Sequence, residues 1–426
     1  MDEQKQLDFL YEKFKNSNGV STDSRSIKPG MIYFALKGEH FNGNKFAKDA
    51  IVKGARLAVV DDPDIRGEHF LHVKNSLESL QKLASFIRSK WTFPVLAIAG
   101  SNGKTTSKEL ISAVLSKKYN VFSTPGNFNN HIGLPLTILM VPDNCNFLVL
   151  EMGANHIGEH SFLCTIAKPN YGLVTNNGMD HLEGYGNLEN VIKSNAELID
   201  YLKSNKGKVF INADDEQMIQ HSSGADVYSY GFDKKADFKA GRIEKDLFAA
   251  IKLESQAINS NLVGKFNEIN ILAASAIGHY FEVDFNSIRA AVESYKPQLN
   301  RSQLIDFKKF KVMLDAYNAN PTSMHLAIKT IEESSFAKKM VILGGMLELG
   351  IYTEKEHKKI IDYLNTLPLD HIWLVGKEFK AFQNLDTIKH FESTEDCSEA
   401  FKSLDFENGV VLIKGSRKYQ LEKLIE

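Results

Sequence analysis

The apolar run Val95–Ala99 passes directly into Gly100-Ser101-Asn102-Gly103-Lys104-Thr105-Thr106, and that junction leaves the chain few local folds. Five consecutive apolar residues predict a buried parallel strand, and Leu110, Ile111, Val114 and Leu115 at helical spacing predict a helix just beyond it. Gly100 to Thr106 is then a strand-to-helix turn. Small residues there let backbone N–H groups close on phosphate oxygens, and the helix N-terminus adds partial positive charge. Lys104 is placed to neutralise the β- and γ-phosphates of a nucleotide triphosphate, and the Thr105 hydroxyl to hold Mg²⁺. The first glycine of the usual G-x-x-x-x-G-K-[ST] pattern falls at Ile98, so the loop is a variant form.

The same strand-then-helix rhythm recurs along the chain. Residues 1–90 carry the short runs Met31–Leu36, Leu57–Val60 and Phe70–Val73 and a helical stretch Ser76–Arg88, which predict a small α/β domain. From 91 to 296, Val95–Ala99, Phe147–Leu150, Tyr171–Thr175 and Val209–Asn212 alternate with helix-length segments. This predicts a mainly parallel sheet with helices on both faces. After Lys296-Pro297 a second doubly wound, Rossmann-like domain, 297–426, is predicted from Val312–Leu314, Met340–Gly344, His371–Val375 and Val410–Ile413. The fold class is α/β in three domains, 426 residues being enough for about three cores of ordinary size.

Polar clusters fall at the carboxyl ends of these strands, where such sheets bind ligands. Phe147–Leu150 ends in Glu151-Met152-Gly153, and a carboxylate there faces the phosphate-loop crevice as a candidate magnesium ligand. Tyr171–Thr175 ends in NNGMDHLEG, in which His181 is a candidate to bind a second metal or orient a phosphate. TPGNFNNHIG, with Asn127, Asn129 and Asn130, either meets a polar, anionic ligand or is an ordinary polar turn. DAYNANP after Leu314, GGMLELG after Leu343 and KGSR after Ile413 suggest a second substrate wall facing the first.

Charge and composition narrow the partners. Lys plus Arg number 51 against 53 Asp plus Glu, a net charge of −2, so no broad basic field draws nucleic acid or anionic lipid. An anionic substrate has to be met locally. The three cysteines show no paired spacing, and no run approaches the roughly 18 apolar residues of a membrane span. The polar start MDEQKQLDFLYEKF lacks a secretory core, so a cytoplasmic protein without membrane insertion is expected, acting as a monomer.

Taken in order, GSNGKTT, TPGNFNNHIG, EMGANHIGEH, DHLEGYG, Gly264–Ala274, DAYNANPTSM, GGMLELG and KGSR resemble the Mur ligases over nearly the whole chain. YNANP followed by MLELG points within that family to the branch that adds a dipeptide. The resemblance implies ATP and Mg²⁺ as cofactors, with UDP-N-acetylmuramoyl-tripeptide and D-alanyl-D-alanine as partners. ATP would phosphorylate the tripeptide carboxylate, and the dipeptide amine would attack the acyl phosphate. Position by position, Gly100, Ser101, Asn102, Gly103, Lys104, Thr105 and Thr106 would serve the nucleotide phosphates. Asn270 would contact adenine, Asp315 ribose, and Arg301 a phosphate. Lys104, Glu151 and His181 would be catalytic, with Thr105, Glu151 and His181 around metal. On the substrate side stand Ser24 and Arg25 in the uridine-nucleotide site, then Asn127, Asn129, Asn130, Asn318, Asn320 and Glu348.

The chain departs from the family pattern at three places. The lysine that family members carry as a carbamate, fourteen positions after the DHLEG histidine, is Asn195 here. An amide forms no carbamate, so either a second metal has fewer protein ligands or Lys193 substitutes. Gly345 stands where G-D-M is frequent, and Asn42-Gly43-Asn44 replaces a frequent D-G-H.

Overall fold

A computed structural model describes residues 2–298, 300–382 and 388–426. Leu299, at the expected start of the 297–426 domain, lies outside the described residues. In the N-terminal domain four parallel strands lie in the order Val20–Ser21, Ile32–Phe34, Leu57–Val60, Phe70–His72. Helix Ser76–Arg88 packs on them and begins where the Asn75 side chain accepts from the N–H groups of Leu77 and Glu78. A helix over Glu3–Lys15 and a hairpin of Lys37–Gly38 with Phe41–Asn42 were not expected from apolar runs.

The central sheet has seven strands, all parallel. Val95–Ala99 lies inside it, with Phe147–Glu151 and then Val121–Ser123 on one side. On the other side come Tyr171–Val174, Lys208–Asn212, Asp226–Gly231 and Phe238–Lys239. The strand order therefore reverses at Val95–Ala99, and the crevice at its carboxyl end is the topological switch point. All five residues of this strand, and of Phe147–Glu151, are buried, as continuous apolar runs in a parallel sheet require.

An antiparallel sheet of Gly241–Arg242, Phe248–Leu253 and Gln256–Val263 follows, which the apolar-run reading did not contain. Its long strand alternates buried Ile258, Ser260 and Leu262 with exposed Asn259 and Asn261, a period-two pattern with no apolar run.

The C-terminal sheet runs Gln303–Phe307, Phe310–Asp315, Gly409–Lys414, Lys338–Gly344, His371–Val375, Ile388–Phe391. The first pair is antiparallel and the rest are parallel. The first and last of these strands were also absent from the apolar-run reading. One buried cluster crosses between domains: Leu182, Tyr185, Val191, Leu247 and Val263 from the central part join Ala319, Met324, Met346 and Leu349. Each of the larger side chains contributes about 2 kcal/mol by leaving water, so the two parts are docked by apolar contact. No helix among the described residues is long and apolar enough to cross a membrane.

Candidate active site

A cavity of about 700 Å³ opens at the switch point, walled by the central domain on one side and the C-terminal domain on the other. Helix Lys104–Leu115 starts beneath it, preceded by Gly103 with φ 79°. Gly100 has φ 122°, and a Cβ there would collide with the Thr175 hydroxyl, so both turn positions need glycine. The loop is braced from the next strand. Ser101 N–H donates to the Asn176 carbonyl (2.9 Å), Asn102 N–H to Asn176 Oδ1 (3.1 Å), and Thr175 and Asn176 side chains both donate to the Asn102 carbonyl (2.7 and 2.9 Å). Ser101 Oγ donates to Asp180 Oδ1 at 2.7 Å. Lys104 Nζ donates to the carbonyls of Gly100 and Ser101, which keeps its ammonium beside the loop.

Glu151 is buried, and its two oxygens are used by two elements. Thr105 Oγ1 donates to Oε2 at 2.9 Å, and Asn129 Nδ2 donates to Oε1 at 2.8 Å. Its own N–H donates to Thr124 Oγ1 at 2.9 Å, so the TPGN turn is tied to the strand end. These are hard oxygen donors. Among the described residues no group of three or more His, Cys, Asp or Glu side chains could hold a metal ion by itself. Magnesium needs only one or two carboxylates when phosphate oxygens and waters complete its shell, so the donor set fits Mg²⁺ shared with a nucleotide. His181 lines the same cavity but its Nδ1 lies 2.5 Å from Glu348 Oε2, a hydrogen-bond contact across the domains that holds the Glu348 carboxyl below its ordinary range.

On the C-terminal side Asp315 receives the buried Lys414 ammonium at 2.5 Å and the Ser302 N–H at 3.1 Å. Lys414 also donates to the Asn318 carbonyl at 3.1 Å, which shapes the DAYNANP loop. Arg301 lays its guanidinium 3.7 Å over the Tyr317 ring, and its buried Nε has no hydrogen-bond partner among the described residues, a donor left over for an anionic ligand. Asn270 packs against Gly103 and bonds to Ser107 and Asn267 (3.2 and 2.9 Å), so it supports the loop as well as lining the cavity.

The structure gathers most of the sequence-selected residues. Ser101 to Thr106, Asn127, Asn129, Asn130, Glu151, His181, Asn270, Arg301, Asp315, Asn318, Asn320 and Glu348 all line the one cavity. Gly100 lies behind it. Ser24 and Arg25 lie away from it in the N-terminal domain, where exposed Arg25 pairs with Asp23 at 2.7 Å. Two of the side chains expected on the substrate side are engaged elsewhere. Asn320 Oδ1 caps helix Pro321–Glu332 through Ser323 N–H (2.8 Å), while its Nδ2 donates to Asn102 Oδ1 (2.8 Å). Glu348 is turned to His181. Asn130 caps the next helical turn through Ile132 and Gly133 N–H groups (3.0 and 2.9 Å).

At the three departures the structure gives definite neighbours. Asn195 is buried and donates to Asn177 Oδ1 at 2.8 Å, whereas Lys193 is exposed and paired with Glu189 at 2.8 Å, so Lys193 does not take over the position. Gly345 leaves room for the Glu378 carboxylate, which accepts from the Tyr419 hydroxyl. Asn44 is buried and bonds to Asp61 and Asn42, a structural tie inside the N-terminal domain. Sequence reasoning marked Asn176 and Lys414 only as members of the NNGMDHLEG and KGSR clusters, without a role of their own, and missed the apolar wall of Ile157, Phe162 and Leu326. Only Asn320 carried a readable second signal, an Asn-Pro helix start with Ser323 three residues on.

Comparison with known proteins agrees with this geometry. Residues 16–87 match the model described as Mur ligase family, catalytic domain; 98–278 match the Mur ligase middle domain; 300–417 match the Mur ligase, glutamate ligase domain. The UDP-N-acetylmuramoyl-tripeptide--D-alanyl-D-alanine ligase of Bacillus subtilis is 33% identical over 425 residues, covering 96% of this chain and 92% of that protein. The Escherichia coli protein of the same name is 31% identical, covering 96% and 93%. A crystal structure of MurF from Acinetobacter baumannii superposes with TM-score 0.87 at 26% identity, over 99% of this chain and 97% of that one. MurF ligase from Thermotoga maritima in complex with ADP gives 0.84 at 25%, over 96% of each. With a braced phosphate loop, a second α/β wall and full-length relatives in agreement, the chain belongs to the Mur ligase family.

Proposed function

We propose that the chain joins D-alanyl-D-alanine to UDP-N-acetylmuramoyl-tripeptide at the expense of ATP, in cytoplasmic peptidoglycan precursor synthesis. The observation that carries this reading is the shared cavity, in which the Thr105–Glu151 pair under the phosphate loop faces Asp315, Asn318 and Arg301 on the opposing domain. Residues 1–90 hold the UDP-sugar, 91–296 the ATP, and 297–426 the incoming dipeptide, and the chain works as a monomer.

The chemistry follows from what the residues can hold. The tripeptide carboxylate attacks the γ-phosphorus of ATP and ADP departs, giving an acyl phosphate. The dipeptide amine then adds to the acyl carbon, and the tetrahedral intermediate expels phosphate as the amide forms. Both steps crowd negative charge in a protein of net charge −2, so stabilisation has to be local and preorganised. Lys104 leaves the Gly100 and Ser101 carbonyls for the transferring phosphate, and the loop N–H groups hold its oxygens. Mg²⁺ held by Thr105, Glu151 and phosphate oxygens would supply further charge neutralisation. Arg301 contributes its unpartnered Nε, and Asp315 is oriented by Lys414 toward the nucleotide ribose.

Phosphate release measured in the presence of UDP-N-acetylmuramoyl-tripeptide, D-alanyl-D-alanine and MgATP tests the reading. Release is expected only when all three are present. Equal release with a free amino acid in place of the dipeptide would reassign the chain to an amino-acid-adding branch of the family.

A further inference from the structure

The contact between His181 and Glu348 joins two loops that share no sheet, and both residues have left-handed backbones, φ 46° and 62°. Such conformations persist in non-glycine residues where the surroundings over-determine them. The surroundings do so here. Glu183 N–H donates to the Glu348 carbonyl at 2.9 Å, Leu347 N–H to the Ser416 hydroxyl at 2.9 Å, and Met346 N–H to His357 Nε2 at 2.9 Å. Leu182 and Leu349, the neighbours of the two residues, are buried in the same interdomain cluster. The backbones are thus brought together by packing and main-chain bonds, and the side chains meet as a consequence.

A carboxylate 2.5 Å from Nδ1 fixes both the ring orientation and the tautomer: the proton sits on Nδ1, and the Nε2 lone pair is left for the cavity that the ring lines. The nearest acid in sequence, Asp180, cannot serve this purpose because it is buried under the phosphate loop accepting from Ser101. We propose that Glu348 is a positioning residue for His181, delivered by the C-terminal domain, so that docking of the acceptor-side domain sets the imidazole facing the activation site. The inference rests on the ligase reading. It gives the GGMLELG loop a task on the opposite wall of the cavity. It also couples the two half-reactions, because the domain assigned to the dipeptide orients a residue of the site where the acyl phosphate forms.

The test uses the full chain labelled with ¹⁵N-histidine, free of nucleotide and metal, at about pH 8.5, above the ordinary imidazole range. The His181 signals are assigned by their loss in His181→Gln. The wild type is expected to show the Nδ1–H tautomer. Glu348→Gly accepts the left-handed backbone and removes the carboxylate, and the ring is expected to shift to the Nε2–H tautomer. Glu348→Asn, also tolerant of that backbone and too short to reach, is expected to behave as Gly does should the Gly variant fold poorly. Glu348→Gln restores an acceptor oxygen and is expected to restore the Nδ1–H form. In turnover, Gly and Asn variants should lose about 10- to 100-fold in kcat with the KM for ATP little changed, and Gln should recover most of it. An unchanged tautomer in the Gly or Asn variant, or an unchanged kcat, overturns the proposal. A wild-type chain without dipeptide-dependent phosphate release would sink the ligase reading alone, since the tautomer signals are read without turnover.

Discussion

The two walls of the cavity are built differently. On the central wall the phosphate loop and Glu151 are held by their own domain: Thr105 and Asn129 on Glu151, Asn176 and Thr175 on the phosphate loop, Asp180 on Ser101; His181 is met from the other domain. The C-terminal wall keeps one such internal unit, Lys414 with Asp315, but two of its other side chains are completed only by the opposing wall, Asn320 by Asn102 and Glu348 by His181. The phosphate loop and Glu151 can therefore be in place before the domains dock, whereas His181 and the acceptor side take their final form through docking. This order suits a reaction in which the carboxylate is activated before the amine attacks.

The sharpest way to break the contrast is Lys104→Ala. If the central wall is preformed and Lys104 serves the phosphates, amide formation should fall by about 1000-fold while thermal unfolding stays unchanged, because the ammonium contacts only loop carbonyls. Retained turnover would remove Lys104 from the site.

The next largest effect comes from pH and bears on the preformed wall. His160 is fully buried behind that wall, with Nδ1 3.0 Å from the Ser194 carbonyl, and burial, followed by the Lys104 charge, lowers it from 6.5 to about 4. A lowered imidazole binds its proton more tightly unfolded than folded. Stability is then complete above pH 6.5 and declines as pH falls toward 4, by about 3 kcal/mol in total. Urea midpoints across that range should show the decline, and His160→Leu should flatten it; parallel profiles in the two proteins would refute the assignment.

The smallest effect sharpens the contrast from the other side. Asn320→Asp keeps an oxygen to cap helix Pro321–Glu332 but loses the donor to Asn102, whereas Asn320→Ala loses both. Ala should cost about 1 kcal/mol of stability, Asp much less, and both should lower kcat by a similar few-fold factor. A kcat reduction confined to Ala would mean that the bridge to the phosphate loop is incidental.

What could be read from the sequence follows from where information is local. Val95–Ala99 and Phe147–Leu150 are buried on both faces, so their apolar runs marked strands and the polar residues at their ends marked the crevice. Gln256–Val263 escaped because a one-sided strand alternates apolar and polar residues, whereas its partner Phe248–Leu253 begins in the apolar run Leu247–Ile251, which was passed over. Gln303–Phe307 escaped for lack of an apolar run, carrying Asp306 beside Phe307. The engagement of Asn320 with Asn102, 218 residues apart, and of Glu348 with His181 depends on how domains meet, which periodicity and spacing do not encode. Residue type marked these positions as polar and close to the chemistry; the partner that each one finds is a property of the docked fold.

The amide pair of Asn195 and Asn177 has a consequence for how the catalyst meets its environment. A lysine carbamate forms and decays in equilibrium with dissolved carbon dioxide, so a centre that depends on one is only as complete as the local gas supply makes it. Two carboxamides joined in a half-buried hydrogen bond take up no carbon dioxide. This position is finished when the chain folds, and carbon dioxide has no hold over it.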